Sequence, residues 1–278
     1  MQLYTIDTGF FKLDGGAMFG VVPKSMWQKL NEPDKNNMCS WAMRCLLIEQ
    51  GNRLVLIDTG MGYKQDDKFK SHYYPHGDAT LKKSLKKHGF HPTDITDVFL
   101  THLHFDHCGD AVELDKNGKP QLTFPNATYW SSSKHWDWAL NPNPREKASF
   151  LKENLLPISE SGQLKFIENE SLGLEGFSTH FVNGHTESMM LCDIAYKGQV
   201  VSYAADLIPS SHHIKMPYVM AYDIRPLDTL EEKAVYLERA YENNHILMFE
   251  HDKDIECGTL RRTERGIIFD KSLKLSDL

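Results

Sequence analysis

Residues 102–107 read His-Leu-His-Phe-Asp-His, placing three imidazoles and a carboxylate within six positions. These are the ligand types that suit zinc and its divalent first-row neighbours. The cluster follows directly on the apolar run Val98-Phe99-Leu100. If that strand continues, His102 and His104 point to the same side of it. The neighbours Asp106 and His107 then need a turn to present both groups, and strand-to-loop delivery of this kind is how scaffolds commonly hold functional loops. A solitary histidine is usually solvated or hydrogen-bonded for structural reasons. An internal run interrupted by Leu103 and Phe105 is neither solitary nor a tag.

A centre with two metals needs more protein ligands than these four, and three further candidates stand at the ends of apolar runs. His185 lies in Asn183-Gly184-His185-Thr186-Glu187, after the run 177–182, and Gly184 permits a sharp turn before it. Asp206 ends Tyr203-Ala204-Ala205-Asp206, and His251 follows Phe249-Glu250. Each alone could cap a turn or sit in solvent. Their order after the hexapeptide carries the argument.

The elements that must position these groups are short. Apolar runs at 45–48 and 54–57 flank a glycine-containing connection, the signature of a hairpin. Helical spacing over 80–88 closes at Gly89, and 97–100 is the strand leading into the cluster. A strand at 127–130 precedes a Ser131-Ser132-Ser133 cap and a helix through Leu140. Asn141-Pro142-Asn143-Pro144 breaks that helix, and a second is expected over 145–154. Strands follow at 164–167, 177–182, 190–195 and 200–203, then an amphipathic helix over 228–243 and a last strand at 246–249. This order predicts mixed sheets covered by helices, without deciding among α/β layouts.

The 278 residues suffice for a large core, with 41% hydrophobic and 25% charged residues. A net charge of −7 argues against nucleic acid as a partner, since phosphate contact requires concentrated positive charge. Lys82-Lys83 and Lys86-Lys87 fit the solvated face of a helix. No apolar run approaches the roughly 20 residues that span a bilayer. Met1 to Thr5 lacks the basic start of a signal peptide. Five scattered cysteines without a CxxC pair fit reduced thiols. A cytoplasmic protein is expected, with Cys108 a packing residue.

The chain resembles the metallo-β-lactamase superfamily. The resemblance rests on Leu56-Ile57-Asp58-Thr59-Gly60, on Thr101-His102-x-His104-x-Asp106-His107-x-Gly109, on Gly184-His185-Thr186, on Asp206 and on His251. It implies one domain over residues 1–278 with a four-layer αββα sandwich, two mixed sheets flanked by helices. It implies two divalent metal ions, zinc by default with manganese, iron or cobalt as alternatives. His102, His104 and His185 would hold one metal, and Asp106, His107 and His251 the other, with Asp206 bridging. Asp58 would steady a ligand imidazole from outside. Where family members often show Gly-His-Thr-Pro-Gly-His, this chain has Gly184-His185-Thr186-Glu187-Ser188-Met189, so the turn after His185 is altered.

The implied activity is hydrolysis of a small-molecule ester or lactone, such as an acyl homoserine lactone or aryl ester, by a metal-bound hydroxide. Asp106 would be both ligand and catalytic group. Tyr222 is the better candidate for a tyrosine beside the substrate and Tyr203 the weaker. Segments 14–41 and 209–226 carry Met18, Phe19, Met26, Trp27, Met38, Trp41, Met216 and Met220, and could form a lid or pocket wall, pack over the sandwich, or support a homodimer. Together with Asp14-Gly15-Gly16-Ala17-Met18-Phe19-Gly20, they look like the lactonase and organophosphate-hydrolase side of the superfamily. A phosphodiesterase, phosphotriesterase or thioesterase of the same fold is the alternative, and a ligand-binding regulatory protein the alternative of another class.

Overall fold

The computed structural model describes residues 1–168 and 172–278. The chain divides into two compact units. The first comprises Met1–Gly9, Met43–Ser71 and His76–Glu175, and the second Phe10–Ala42, His72–Pro75 and Gly176–Leu278.

Along the chain, β1 (Gln2–Asp14) leads to the short helices α1 (Gly15–Phe19) and α2 (Lys24–Trp27). The strands β2 (Met38–Gln50) and β3 (Arg53–Ile57) follow, then helices α3 (Asp67–Tyr73) and α4 (Leu81–Lys87), strand β4 (Asp97–Phe99) and the single-turn helix α5 (Phe105–Cys108). Next come β5 (Val112–Leu114), β6 (Pro120–Leu122), β7 (Thr128–Ser131), α6 (Ser133–Leu140), α7 (Lys152–Glu160) and β8 (Leu164–Phe166). The remainder is β9 (Phe177–Val182), β10 (Met189–Tyr196), β11 (Gln199–Tyr203), α8 (Pro226–Glu242), β12 (Ile246–Met248), β13 (Cys257–Thr263) and β14 (Gly266–Leu273).

Among the described residues, one six-stranded sheet has the order β1-β2-β3-β4-β7-β8 and another β14-β13-β12-β11-β10-β9. Both are mixed. β2 pairs antiparallel with β3, which pairs parallel with β4; β10 pairs antiparallel with β11, which pairs parallel with β12. The expected hairpin is present, with Leu46 opposite Ile57 and Gly51 turning the chain at φ +62°. Leu46, Leu47, Ile48, Val55, Leu56 and Ile57 are all buried, as continuous apolar runs in interior strands should be. In the first unit Leu56, Val98 and Leu100 pack with Leu81 and Leu85 of α4 and Trp136 of α6. Thr80 caps α4 by accepting the Lys83 N–H, and Gly89 closes it at φ +87°.

Three expectations are corrected. The helix foreseen over 145–154 is absent at its start. Asn143 Oδ1 accepts the N–H groups of Arg145 (2.8 Å) and Glu146 (3.2 Å), giving the backbone a turn in place of a helix. The helix α7 begins only at Lys152. The strand at 97–100 does not continue into the hexapeptide, so strand alternation does not place His102 and His104. The last strand is not 246–249, since the hairpin of β13 and β14 follows it.

In the second unit the two Met- and Trp-bearing segments pack on one another. Phe19 stacks between Trp27 (5.5 Å, 15°) and His213 (5.0 Å, 2°), and meets Tyr218 edge-on. Ala221 donates its N–H to Ala17 O (2.8 Å). Met18, Phe19, Trp27, Trp41 and Met220 are buried, while Met26 and Met216 are exposed. Residues 14–41 thus hold two short helices, the first capped by Asp14, which accepts the Ala17 N–H.

Candidate metal centre

In the first unit the site begins with Asp58, which turns the chain after β3 at φ +57°, a conformation Asp tolerates better than most residues. Its carboxylate accepts the Thr101 N–H (2.8 Å) and hydroxyl (2.7 Å), and meets His107 Nδ1 at 3.1 Å. Those bonds end β4, because Thr101 no longer offers its N–H to a neighbouring strand. Leu103 N–H is likewise taken by a side chain, His135 Nε2, at 2.8 Å. The backbone on either side of His102 is therefore held by a buried carboxylate and a buried imidazole. Thr59 donates its N–H (2.7 Å) and hydroxyl (3.0 Å) to His107 O, and a Cβ on Gly60 would collide with Thr8. Each residue of Asp58-Thr59-Gly60 has its own task.

The turn expected for Asp106 and His107 is α5. His102 and His104 present ligand atoms within 4.8 Å of one another, and so do Asp106 and His107. The rings of His102 and His107 are centred 3.8 Å apart. Gly109 is required by close approach, since a Cβ would strike the Met61 backbone. Cys108 packs as expected; it is fully buried and burial pushes its thiol up to about 12.

In the second unit, the turn after β9 is suspended from α8. Glu232 accepts the N–H groups of Asn183 (2.6 Å) and Gly184 (2.9 Å), and Arg225 donates to Asn183 O (2.7 Å). Gly184 is needed for this contact rather than for an unusual φ, because a Cβ would collide with the Thr229 backbone nitrogen. His185 Nε2 then lies 3.1 Å from Asp206 Oδ2, and His251 Nε2 3.1 Å from Asp206 Oδ1. Each carboxylate oxygen of Asp206 thus meets one imidazole. Ala205, just before it, is held at φ +42°.

Outer groups assign the nitrogens. The Thr101 hydroxyl gives its proton to Asp58, so its oxygen accepts from His102 Nδ1 (3.1 Å). Asp58 faces His107 Nδ1, Asp223 faces His185 Nδ1 at 2.8 Å, and Ala42 O faces His251 Nδ1 at 2.7 Å. An outer acceptor keeps the proton on the nitrogen it touches and leaves the other lone pair for a metal. Four rings therefore offer Nε2. Burial opposes charge on His185, but Asp206 and Asp223 on its two sides prevail and push its pKa up to about 10. A carboxylate 3.1 Å from two imidazole nitrogens calls for a cation between them, a proton or a metal, so the donor set fits a divalent ion.

Residues 44–242, well over half of the chain, match the family model of the metallo-beta-lactamase superfamily. The chain belongs to the metallo-β-lactamase superfamily. It is by that membership a metal-dependent hydrolase, and its two mixed sheets and helices are the αββα class foreseen from the sequence. A probable metal-dependent hydrolase from Staphylococcus aureus is similar at 25% identity and TM-score 0.85, with 98% of each chain covered. AidC, a dizinc quorum-quenching lactonase in complex with a product, gives 24% identity and TM-score 0.79 over 98% of this chain and 95% of that one. The hydrolase AbOPH gives 20% and 0.76 over 98% and 94%. The likeness to the last two is one of fold.

Against this metallo-β-lactamase background the altered turn after His185 becomes interpretable. Ser188 stands where the family motif has glycine and still adopts φ +53°. Its N–H is taken by Asn183 Oδ1 at 3.0 Å, and Glu187, in place of proline, pairs with Arg225 at 2.7 Å. The turn keeps a left-handed residue and gains an ion pair. Tyr222 is 38% exposed and adjoins Asp223, whereas Tyr203 is fully buried on β11. Asp223, His135 and Glu146 were not foreseen. Asp223 adjoins a tyrosine that the sequence singled out, but the other two carried no signal.

Proposed function

We propose that this hydrolase cleaves an ester or lactone of a small molecule with two divalent ions, zinc by default. His102, His104 and His185 would hold one, Asp106, His107 and His251 the other, and Asp206 both. The observation that carries this reading is the pre-set nitrogen on the imidazoles: His102, His107, His185 and His251 each have Nδ1 engaged and Nε2 left as donor. When bound, a metal pair supplies Lewis acidity and a water acidic enough to attack near neutral pH. Around it Asp58, Thr101 and Asp223 keep the rings oriented, Asp106 would hold or pass on a proton, and the exposed Tyr222 phenol would donate to a substrate oxygen. The fold-level likeness to a dizinc lactonase supports a lactone as the first substrate to try.

We place the reaction in the cytoplasm. No disulfide joins the five cysteines, and among the described residues no helix is long and apolar enough to cross a membrane. A homodimer and a single functional domain over 1–278 complete the reading.

Metal analysis with a hydrolysis screen tests it. The purified chain should carry two equivalents of metal and hydrolyse acyl lactones or aryl esters in a chelator-sensitive way. Asp206→Ala should lose dinuclear occupancy and most of the turnover. Under one equivalent of metal with no chelator-sensitive hydrolysis would overturn the reading. Turnover of bis(p-nitrophenyl) phosphate alone would move it to phosphoesters, and full metal loading without turnover of any activated ester would favour a binding protein.

A further inference from the structure

We infer that Arg225 is a positioning residue: its guanidinium braces both feet of the turn 183–187 and so holds His185 in its ligating pose. This inference rests on the reading of His185 as a metal ligand.

The backbone groups at the start of the turn are matched from one side. Glu232 of α8 accepts the Asn183 and Gly184 N–H groups, the Arg225 N–H donates to Gly184 O (2.9 Å), and the Ile224 N–H donates to His185 O (3.2 Å). Beyond His185 the grip passes to side chains. Arg225 Nη1 donates to Asn183 O and Nη2 to Glu187 Oε2, both at 2.7 Å. One planar group therefore spans the first and last residues of the turn, a fork that a lysine does not reproduce. Arg225 is itself rooted, because its carbonyl accepts the Thr229 N–H (3.0 Å) and Pro226 opens α8 beside it.

The Arg225 and Glu187 side chains are 34% and 26% exposed, so as an isolated pair they would add little stability. Their weight is geometric. His185 Nδ1 meets Asp223 at 2.8 Å, and a turn free to shift would loosen that bond. A proline at 187, as in the family motif, would narrow the same stretch of backbone covalently. Here an ionic clamp does that work.

The full-length chain tests this through amide hydrogen exchange and zinc binding. In metal-free Arg225→Met the amides of residues 183, 184 and 188 should exchange about 10-fold faster, while those of β10 and β11 keep their wild-type rates. In chelator competition the variant should bind one zinc equivalent about 10-fold more weakly and the other normally. Arg225→Lys should behave in the same way. Adding Glu187→Pro and Ser188→Gly to Arg225→Met should restore both exchange and affinity. Wild-type exchange in Glu187→Ala overturns the proposal even if Arg225→Met fails to fold. Faster exchange throughout β10 and β11 without rescue by the proline also overturns it, since Arg225 would then serve general stability. If exchange and rescue behave as stated but no protein binds zinc, the clamp stands and it is the metal-hydrolase reading that falls.

Discussion

Three residues without the excuse of glycine hold positive φ beside the candidate ligands: Asp58 at +57°, Ser188 at +53° and Ala205 at +42°. For an L-residue this region costs roughly 1–2 kcal/mol, and such strain persists only where surrounding structure over-determines it. Ala205 is the cleanest case because its methyl makes no polar bond. Ala205→Gly should raise stability by about 1 kcal/mol, read as a higher urea midpoint at unchanged slope. A lower midpoint would show that the methyl group's packing outweighs the strain. The ligand-type residues were legible because histidine and aspartate at the ends of apolar runs are conspicuous. Their outer partners were not: Asp223 lies 38 residues from His185 and His135 lies 32 from Leu103, and no local pattern announces such pairs.

The helix α8 shows what an element adds. Thr229, Lys233, Tyr236, Leu237 and Ala240 are its buried face, and Pro226 opens it, so its existence could be read from spacing and start signals alone. The presence of a lysine in that face follows from what it holds. Lys233 Nζ donates to Lys215 O and Tyr218 O, both at 2.9 Å. Burial lowers its pKa to about 7, with Asp223 opposing. The unfolded chain keeps that proton up to about pH 10, so between roughly pH 7 and 10 the unfolded state binds more protons and stability rises with pH. Lys233→Met should remove this rise. The difference between wild type and variant, measured by urea unfolding at pH 7, 8, 9 and 10, should move in favour of the wild type as pH increases. A constant difference would place the lysine's charge elsewhere. Elements without such signals escaped the sequence: β1, and the β13–β14 hairpin, whose residues are largely half-exposed or exposed.

At the scale of the whole molecule, the sheet strands at the interior were legible because they are uniformly apolar, and the family resemblance supplied the layer order that periodicity left open. The interleaving of the two units was not legible, since nothing local marks a boundary falling inside β1 and β2. That interleaving has a genetic consequence. A gene cut between Glu175 and Gly176 sends all of the β9–β14 sheet to one piece. It leaves with the other piece Phe19, which stacks on His213 and on Trp27, and the Ala42 carbonyl that fixes His251. Expressed alone, the piece 176–278 should show no cooperative thermal transition. Co-expressed with 1–175 it should co-purify and regain one, which makes the chain a natural split reporter. A cooperative transition in the isolated piece would mean that the borrowed aromatic residues are dispensable.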